Sequence, residues 1–210
     1  MDMIGTDHVI RDEATLEALY GEQNPVALAK EIDYLHPHYR AMIEASPFMV
    51  LATVGPEGLD CSPRGDPAGE FVRVVDDRTL LVPDRRGNNR IDSLRNIVRD
   101  PRVALLFLIP GVGETLRVNG RATISTAPEL TGRFPMQGKL PRTVLIVKTE
   151  SVYFQCSKAI VRSGLWNPAL HIERKSLPST GTILASITKG TTGGDAYDKG
   201  YPERLKATIY

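Results

Sequence analysis

Three arginines, two asparagines and a glycine lie together at residues 85–90. An apolar run precedes them and predicts a buried strand, and Ile91, Leu94 and either Ile97 or Val98 predict one face of a short helix that follows. The start of a helix exposes free backbone N–H groups, and arginine presents a fork of donors that suits phosphate oxygens. The stretch therefore indicates a site for a phosphate-bearing ligand, although an arginine-rich loop is more often a solvated surface.

Other patterns that resemble reactive sites are weaker. Residues 132–140 resemble a phosphate loop, but the spacing is one residue too long and the final serine or threonine is missing. Nothing in the sequence orients Cys156 and His171 as a nucleophile and its base. His36 and His38 lack the i, i+4 spacing of helical metal ligands. We therefore expect no metal site, and no residue stands out as a general acid or base.

Composition restricts the class of protein. The chain has 210 residues, 41% hydrophobic and 24% charged, which is ordinary for a soluble globular domain with extra terminal segments. Its net charge of +1 argues against a general nucleic-acid binder. No apolar run is long enough to span a bilayer, and the first residues lack the features of a signal peptide, so we expect a cytoplasmic protein. Cys61 and Cys156 fit a reducing compartment, and we expect two partly buried free thiols.

The order of predicted elements favours an antiparallel sheet. Helices are expected at 12–20, 25–32 and 37–45, and later at 127–134, within 157–167 and from 197 onward, with a mobile loop at 189–195. Strands are expected between them, and Pro63 and Pro83 are expected to end two of these strands. Strands without alternating helices argue against a parallel nucleotide-binding sheet. We therefore expect a mainly β (α+β) fold built on an antiparallel barrel. The predicted strands are 48–54, 59–62, 71–75, 79–82, 103–109, 114–124, 143–148 and 151–155.

Several blocks of the sequence resemble the pyridoxamine 5'-phosphate-oxidase-like flavoproteins, whose fold is an FMN-binding split β-barrel. The matching blocks together span roughly residues 46–168. They are 47–53, 62–66, 81–90, 94–97, 100–103, 106–107, 110–111, 116–122 and 156–166. The resemblance implies an FMN-binding split-barrel domain at 46–168. With the helices predicted above, this divides the chain into an N-terminal helical segment at 1–45, that domain, and a C-terminal extension at 169–210.

The resemblance also implies a homodimer with FMN bound at the subunit interface. The strand end near Ser62 and the strand and loop at 82–90 would cradle the ribityl phosphate, and the strand around Thr115 and Arg117 would border the isoalloxazine ring. A late basic and tryptophan group would come from the second subunit. The residues that the resemblance implicates in cofactor binding are Ser62, Arg64, Val82, Pro83, Arg85, Asn88, Asn89, Arg90, Thr115, Arg117, Lys158, Arg162, Ser163 and Trp166.

The sequence departs from the oxidase of vitamin B6 metabolism itself. That enzyme has a Ser-Arg-Lys phosphate motif, where residues 88–90 here read Asn-Asn-Arg, and an Arg-Leu-x-Pro ending, of which residues 203–207 match only Arg-Leu. Pyridoxamine phosphate is therefore not the expected substrate. We expect an FMN-dependent oxidoreductase that transfers hydride at the flavin ring to or from an unknown small molecule. The alternatives are a non-catalytic flavin- or haem-binding sensor and a deazaflavin-dependent reductase.

Overall fold

The structure is a computed structural model that describes residues 8–210. The chain divides into two compact units after Glu31. The first unit contains α1 (Glu13–Tyr20) and α2 (Pro25–Ala29). Asp12 caps α1 by accepting the N–H of Thr15 at 2.8 Å, and Asn24 caps α2 in the same way. The division of the chain into three segments at 45 and 168 stays a prediction.

The second unit contains α3 and a seven-stranded sheet. Helix α4 is inserted between β4 and β5, and three more helices follow α6 in the C-terminal extension. The elements are α3 (Pro37–Ala45), β1 (Phe48–Gly55), β2 (Gly58–Gly65), β3 (Arg73–Asp76), β4 (Thr79–Asp84), α4 (Asp92–Arg99), β5 (Arg102–Leu108), β6 (Thr115–Ser125), α5 (Pro128–Thr131), β7 (Thr143–Gln155), α6 (Lys158–Ser163), α7 (Thr180–Ile187), α8 (Gly194–Lys199) and α9 (Tyr201–Thr208). Short 3₁₀ turns at Pro168–Leu170 and Arg174–Ser176 connect α6 to α7.

Every strand pairs antiparallel to its neighbours, in the order β2-β1-β5-β6-β7-β4-β3. The sheet is not closed, and with its flanking helices it is the split-barrel architecture that the sequence predicts. Its inner face forms the main core because side chains alternate between the two faces of a strand. The fully buried side chains of this core include Met49, Leu51, Leu80, Val82, Leu105, Phe107, Leu116 and Val118.

Two strands continue past prolines that we expected to end them. Pro63 pairs with Val50, and β2 tolerates it because this strand lies at the edge of the sheet. Pro83 pairs with Val144 of β7, beyond the point where the pairing of β3 with β4 stops at Leu81. Neither proline has a second neighbouring strand that needs its N–H, so both strands continue. The prediction that Pro63 and Pro83 end their strands was wrong.

Three further expectations differ from the structure. The predicted strands 143–148 and 151–155 form the single strand β7, which stays paired with β6 through a register shift between Asn119 and Gly120. The predicted helix at 25–32 ends early, because Ile32 instead exchanges two backbone hydrogen bonds with Val152. Both cysteines are free, as expected, but they are exposed rather than partly buried.

The helical face of α4 and the C-terminal helices were only partly predicted. Ile97 is buried and Val98 is 77% exposed, so Ile97 is the residue that faces the core. Helix α7 was not predicted, and the helix expected from residue 197 is two helices, α8 and α9, that meet at Gly200. No helix in residues 8–210 is both long and apolar enough to cross a membrane.

Gly120 lies beside the register shift between β6 and β7, where the backbones of the two strands approach closely. A Cβ on Gly120 would lie 2.0 Å from the backbone oxygen of Lys148. We expect Gly120→Ala to lower the free energy of unfolding by about 1–3 kcal/mol or more, because strands β6 and β7 would have to separate locally. Urea unfolding measures the loss. Gly87→Ala is the control, since nothing lies within 4 Å of a Cβ there. Equal stability of the two variants would contradict the close approach of the strands.

Candidate functional site

The edge strand β2 presents polar side chains at every second position. Asp60, Ser62 and Arg64 are half-buried, whereas the residues between them are exposed. The Oγ atoms of Ser62 and Ser93 are 3.0 Å apart, and Ser93 Oγ donates to Asp60 Oδ2 at 3.3 Å. Since Ser93 is the second residue of α4, this polar row of β2 lies against the first turn of that helix.

Helix α4 begins without a side-chain cap. Its N-cap residue is Ile91, which adopts the left-handed conformation with φ 54°, and Asn89 does the same with φ 62°. This conformation is unusual and costly for a β-branched residue, and such strain tends to persist at ligand sites. Asn88 Oδ1 accepts the N–H of Arg90 at 3.1 Å and so tightens the turn before the helix. The first N–H groups of α4 are therefore left for another acceptor.

Arg90 lies at the surface beside this helix start. Its side chain is 75% exposed, and its Nε donates to Asp92 Oδ2 at 2.7 Å. An exposed ion pair of this kind contributes little stability and is easily exchanged for another anion. Arg90 is thus available to an anionic ligand, which would compete with Asp92 for the guanidinium.

Asp84, the last residue of β4, and Arg85, the next residue, point to opposite sides of the sheet because side chains alternate along a strand. Asp84 follows Val82 onto the core face, where it lies within electrostatic range of Arg64 and Arg142. Burial raises the pKa of the Asp84 carboxyl, and the two arginines offset part of that rise. Arg85 turns the other way and donates from Nε to Asp66 Oδ2 at 2.6 Å.

Thr115 and Arg117 lie on the opposite face of the sheet from Ser62 and Arg64. The register places Ser62 opposite Leu51 and, through β5, in line with the buried Val118, whereas Arg117 alternates with Val118. Arg117 Nη1 donates to the Tyr153 hydroxyl at 2.6 Å, and its guanidinium lies 5.3 Å from the centre of the Tyr153 ring. Within one chain, therefore, these two pairs of predicted site residues do not meet.

The late group of predicted residues lies on and after α6, near the β5–β6 turn. Trp166 Nε1 donates to the backbone oxygen of Val112 at 2.7 Å, and Ser163 Oγ donates to the oxygen of Ile160 at 3.1 Å. Lys158 and Arg162 are exposed. Thr115, which pairs with Gln155 at the end of β7, is the other predicted residue at this end of the sheet.

The structure thus assembles one part of the predicted set. Ser62 is joined to the first turn of α4 by hydrogen bonding; Arg64 follows it on the same face of β2, and Asn88, Asn89 and Arg90 lead into that helix. Val82 and Pro83 are buried in β4 and offer only backbone. Sequence reasoning missed three participants, Asp60, Asp84 and Ser93. The alternation of polar residues at 60, 62 and 64 was the signal that could have revealed the first.

The donors in this place suit an oxyanion better than a metal. Arg64, Arg90 and the uncapped N–H groups of α4 are donors that fit phosphate oxygens. The Ser62 and Ser93 hydroxyls bond to each other and to Asp60, and would have to turn away from these partners to donate to the same oxygens. Within the described part of the chain, no three His, Cys, Asp or Glu side chains cluster in a way that could hold a metal ion. The residues present therefore fit a phosphate group.

The raised pKa of Asp84 predicts an unusual pH dependence. A carboxyl whose pKa is higher in the folded than in the unfolded state destabilises the fold once it is ionised, so its cost grows as pH rises above 3.8. We expect Asp84→Asn to be more stable than wild type at pH 7 and to lose that advantage as pH falls to 4. Urea unfolding at both pH values measures it. Asp77→Asn, in an exposed turn, is the matched control, and an advantage that persists at pH 4 would contradict the assignment.

Comparison with known proteins gives the family. Residues 35–156, more than half of the chain, match the pyridoxamine 5'-phosphate oxidase family. Similar solved structures include HupZ from Group A Streptococcus (18% identity, TM-score 0.48, covering 58% of this chain and 94% of that one) and a putative pyridoxamine 5'-phosphate oxidase from Lactobacillus delbrueckii (20%, 0.46, 58% and 95%). An F420 reductase is also similar (21%, 0.42, 56% and 97%). No curated protein matches the chain. The chain belongs to the pyridoxamine 5'-phosphate oxidase family.

Proposed function

We propose that the protein binds FMN and acts as an FMN-dependent oxidoreductase on a small molecule. The observation that supports this best is the uncapped start of α4, which faces the polar row of β2. Ser62 and Ser93 already touch there, Arg64 follows Ser62 on the same face of β2, and Arg90 directly precedes Ile91 at the helix start. The FMN phosphate would be held at this point.

The energetics of the site are adequate for a phosphate. The group carries nearly two negative charges at neutral pH, and each charge-assisted hydrogen bond contributes roughly 1.5–3 kcal/mol. Two arginines and the free N–H groups at one helix start would supply several such bonds. Because Asp60, Asp84 and Asp92 lie among these donors, the local charge is balanced rather than strongly basic, and geometry must contribute to selectivity.

The opposite orientations of Arg64 and Arg117 favour a site shared between two protomers. The phosphate would lie on one protomer's β2–α4 side. The ring would lie against the outward face of β6 of the second protomer, where Thr115 and Arg117 project. Lys158, Arg162, Ser163 and Trp166 would come from the second protomer. A homodimer with two equivalent FMN sites satisfies this arrangement.

The chemistry would belong to the cofactor, and the protein would supply binding and orientation. When bound, FMN would supply the hydride-transfer chemistry at its ring. Arg117, whose Nη1 donates to the Tyr153 hydroxyl, would hold a positive charge in a fixed place beside the ring. The phosphate donors would hold the far end of the cofactor, so that the ring has one orientation.

The primary test is cofactor binding. We expect the purified protein to be yellow, to release FMN on denaturation as identified by mass spectrometry, and to rebind it. Arg64→Ala and Arg90→Ala should each raise the dissociation constant of FMN about tenfold or more, because each removes a charge-assisted contact worth at least 1.4 kcal/mol. Quenching of flavin fluorescence on titration measures the affinity.

Arg40→Ala is the matched control for both variants. Arg40 pairs with Glu44 on the exposed side of α3, one turn away, and its loss should leave FMN binding unchanged. A colourless protein that ignores added FMN would overturn the proposal. Recovery of a deazaflavin or haem instead would move the function to one of the two alternatives.

A further inference from the structure

We propose that Asp66 and Tyr210 are positioning residues for the candidate phosphate site. They hold Arg85 at the end of β4, and Arg85 in turn fixes the path of residues 86–91 into α4. The inference rests on the proposed function for its effect on FMN, but its structural half does not. It also assigns Arg85 a different role from the phosphate contact that the family resemblance implies.

The anchor begins with a buried ion pair. The Asp66 side chain is 1% exposed and that of Arg85 is 14% exposed. Besides its bond to Asp66, Arg85 donates from Nη1 to the backbone oxygen of Phe134 at 2.7 Å. The N–H of Asp66 is itself held by the backbone oxygen of Pro47 at 3.1 Å. Arg85 therefore joins the segments that follow β2, β4 and α5.

Tyr210 covers this pair from the C-terminal extension. The Arg85 guanidinium lies 5.6 Å from the centre of the Tyr210 ring, within the range of a cation–π contact. Lys139 Nζ donates to the backbone oxygen of Tyr210 at 2.7 Å and fixes the residue there. Burial, then the charge of Asp66, then a side-chain hydrogen bond with Asp66 raise the pKa of the Tyr210 phenol, and the charge of Arg85 offsets part of that rise. The ring therefore packs against the ion pair.

The pair depends on its cover because it is incompletely satisfied. Asp66 Oδ1 and Arg85 Nη2 are buried and have no hydrogen-bond partner among the described residues. If the ring were removed, water could hydrate both atoms, and the attraction between Arg85 and Asp66 would weaken. Tyr210 therefore controls how firmly Arg85 is held.

The loop beyond Arg85 needs such an anchor. Asn89 and Ile91 hold left-handed backbone conformations that persist only when the surrounding structure enforces them. Helix α4 enforces the end at Ile91, and Arg85 is the buried contact at the other end. A shift at Arg85 is expected to move the loop donors away from the phosphate position.

The experiment compares Tyr210→Ala and Tyr210→Phe with wild type. Tyr201→Ala is the control, since Tyr201 lies in the same extension and is 47% exposed. The first readout is the initial rate of trypsin cleavage after Arg85, with fragments identified by mass spectrometry. Trypsin must bind the arginine side chain, so cleavage there reports release of Arg85 from Asp66. The second readout is the dissociation constant of FMN.

For Tyr210→Ala we expect cleavage after Arg85 about tenfold faster, because cleavage follows the population of the open form. We also expect FMN binding to weaken roughly tenfold, as displaced contacts do. Tyr210→Phe keeps the ring but loses the hydroxyl that interacts with Asp66, so both measurements should fall between wild type and Tyr210→Ala. Asp66→Asn should behave like Tyr210→Ala, since it removes the charge that holds the guanidinium.

Unchanged cleavage after Arg85 in Tyr210→Ala, or an equal change in Tyr201→Ala, would overturn the proposal that Tyr210 holds Arg85 against Asp66. Released Arg85 with unaltered FMN affinity would overturn its positioning role. If wild type does not bind FMN at all, the proposed function fails, and the cleavage rates alone then decide whether Tyr210 holds Arg85.

Discussion

The continuation of β4 through Pro83 to Asp84 is the constraint on which the candidate site depends. Its pairing with β7 fixes the direction of each side chain, and period-two alternation sends Asp84 inward toward Arg64 and Arg85 outward toward Asp66. A strand one residue shorter would leave both free to turn into solvent. The separation of these two neighbours determines which basic residues are available to a ligand and which are used by the fold.

The fold was largely predictable because its signals are local. Apolar β-branched runs marked the strands, Pro25 and Pro37 marked the starts of helices, and the lack of alternating helices ruled out a parallel sheet. The errors came from tertiary context. Pro63 and Pro83 stop a strand only where a second neighbour needs their N–H, and the sequence does not reveal which strands lie at an edge. The single strand β7 likewise depends on its pairing with β6.

The candidate site was predictable only in part, for a related reason. The positive charge of the loop at 85–90 is evident from the sequence, but charge alone does not distinguish a ligand contact from a buried ion pair. Arg85 and Arg90 are the same residue type five positions apart, yet one side chain is 14% exposed and the other 75%. Removing one partner of the buried pair would cost about 3–5 kcal/mol, whereas the exposed pair is worth little. Only the partners of each arginine separate the two roles.

The carboxylates around the site explain how such a place can be selective. Arg90 is paired with Asp92, and Asp60 is held by Ser93, so a loosely positioned anion gains little from charge alone. The first N–H groups of α4 differ, because Ile91 provides no side-chain cap. These donors are fixed in direction by the helix and favour an anion with several oxygens placed on its axis. A phosphate monoester would meet that requirement, and under the role proposed for Arg85 its fit would depend on the loop being held at both ends.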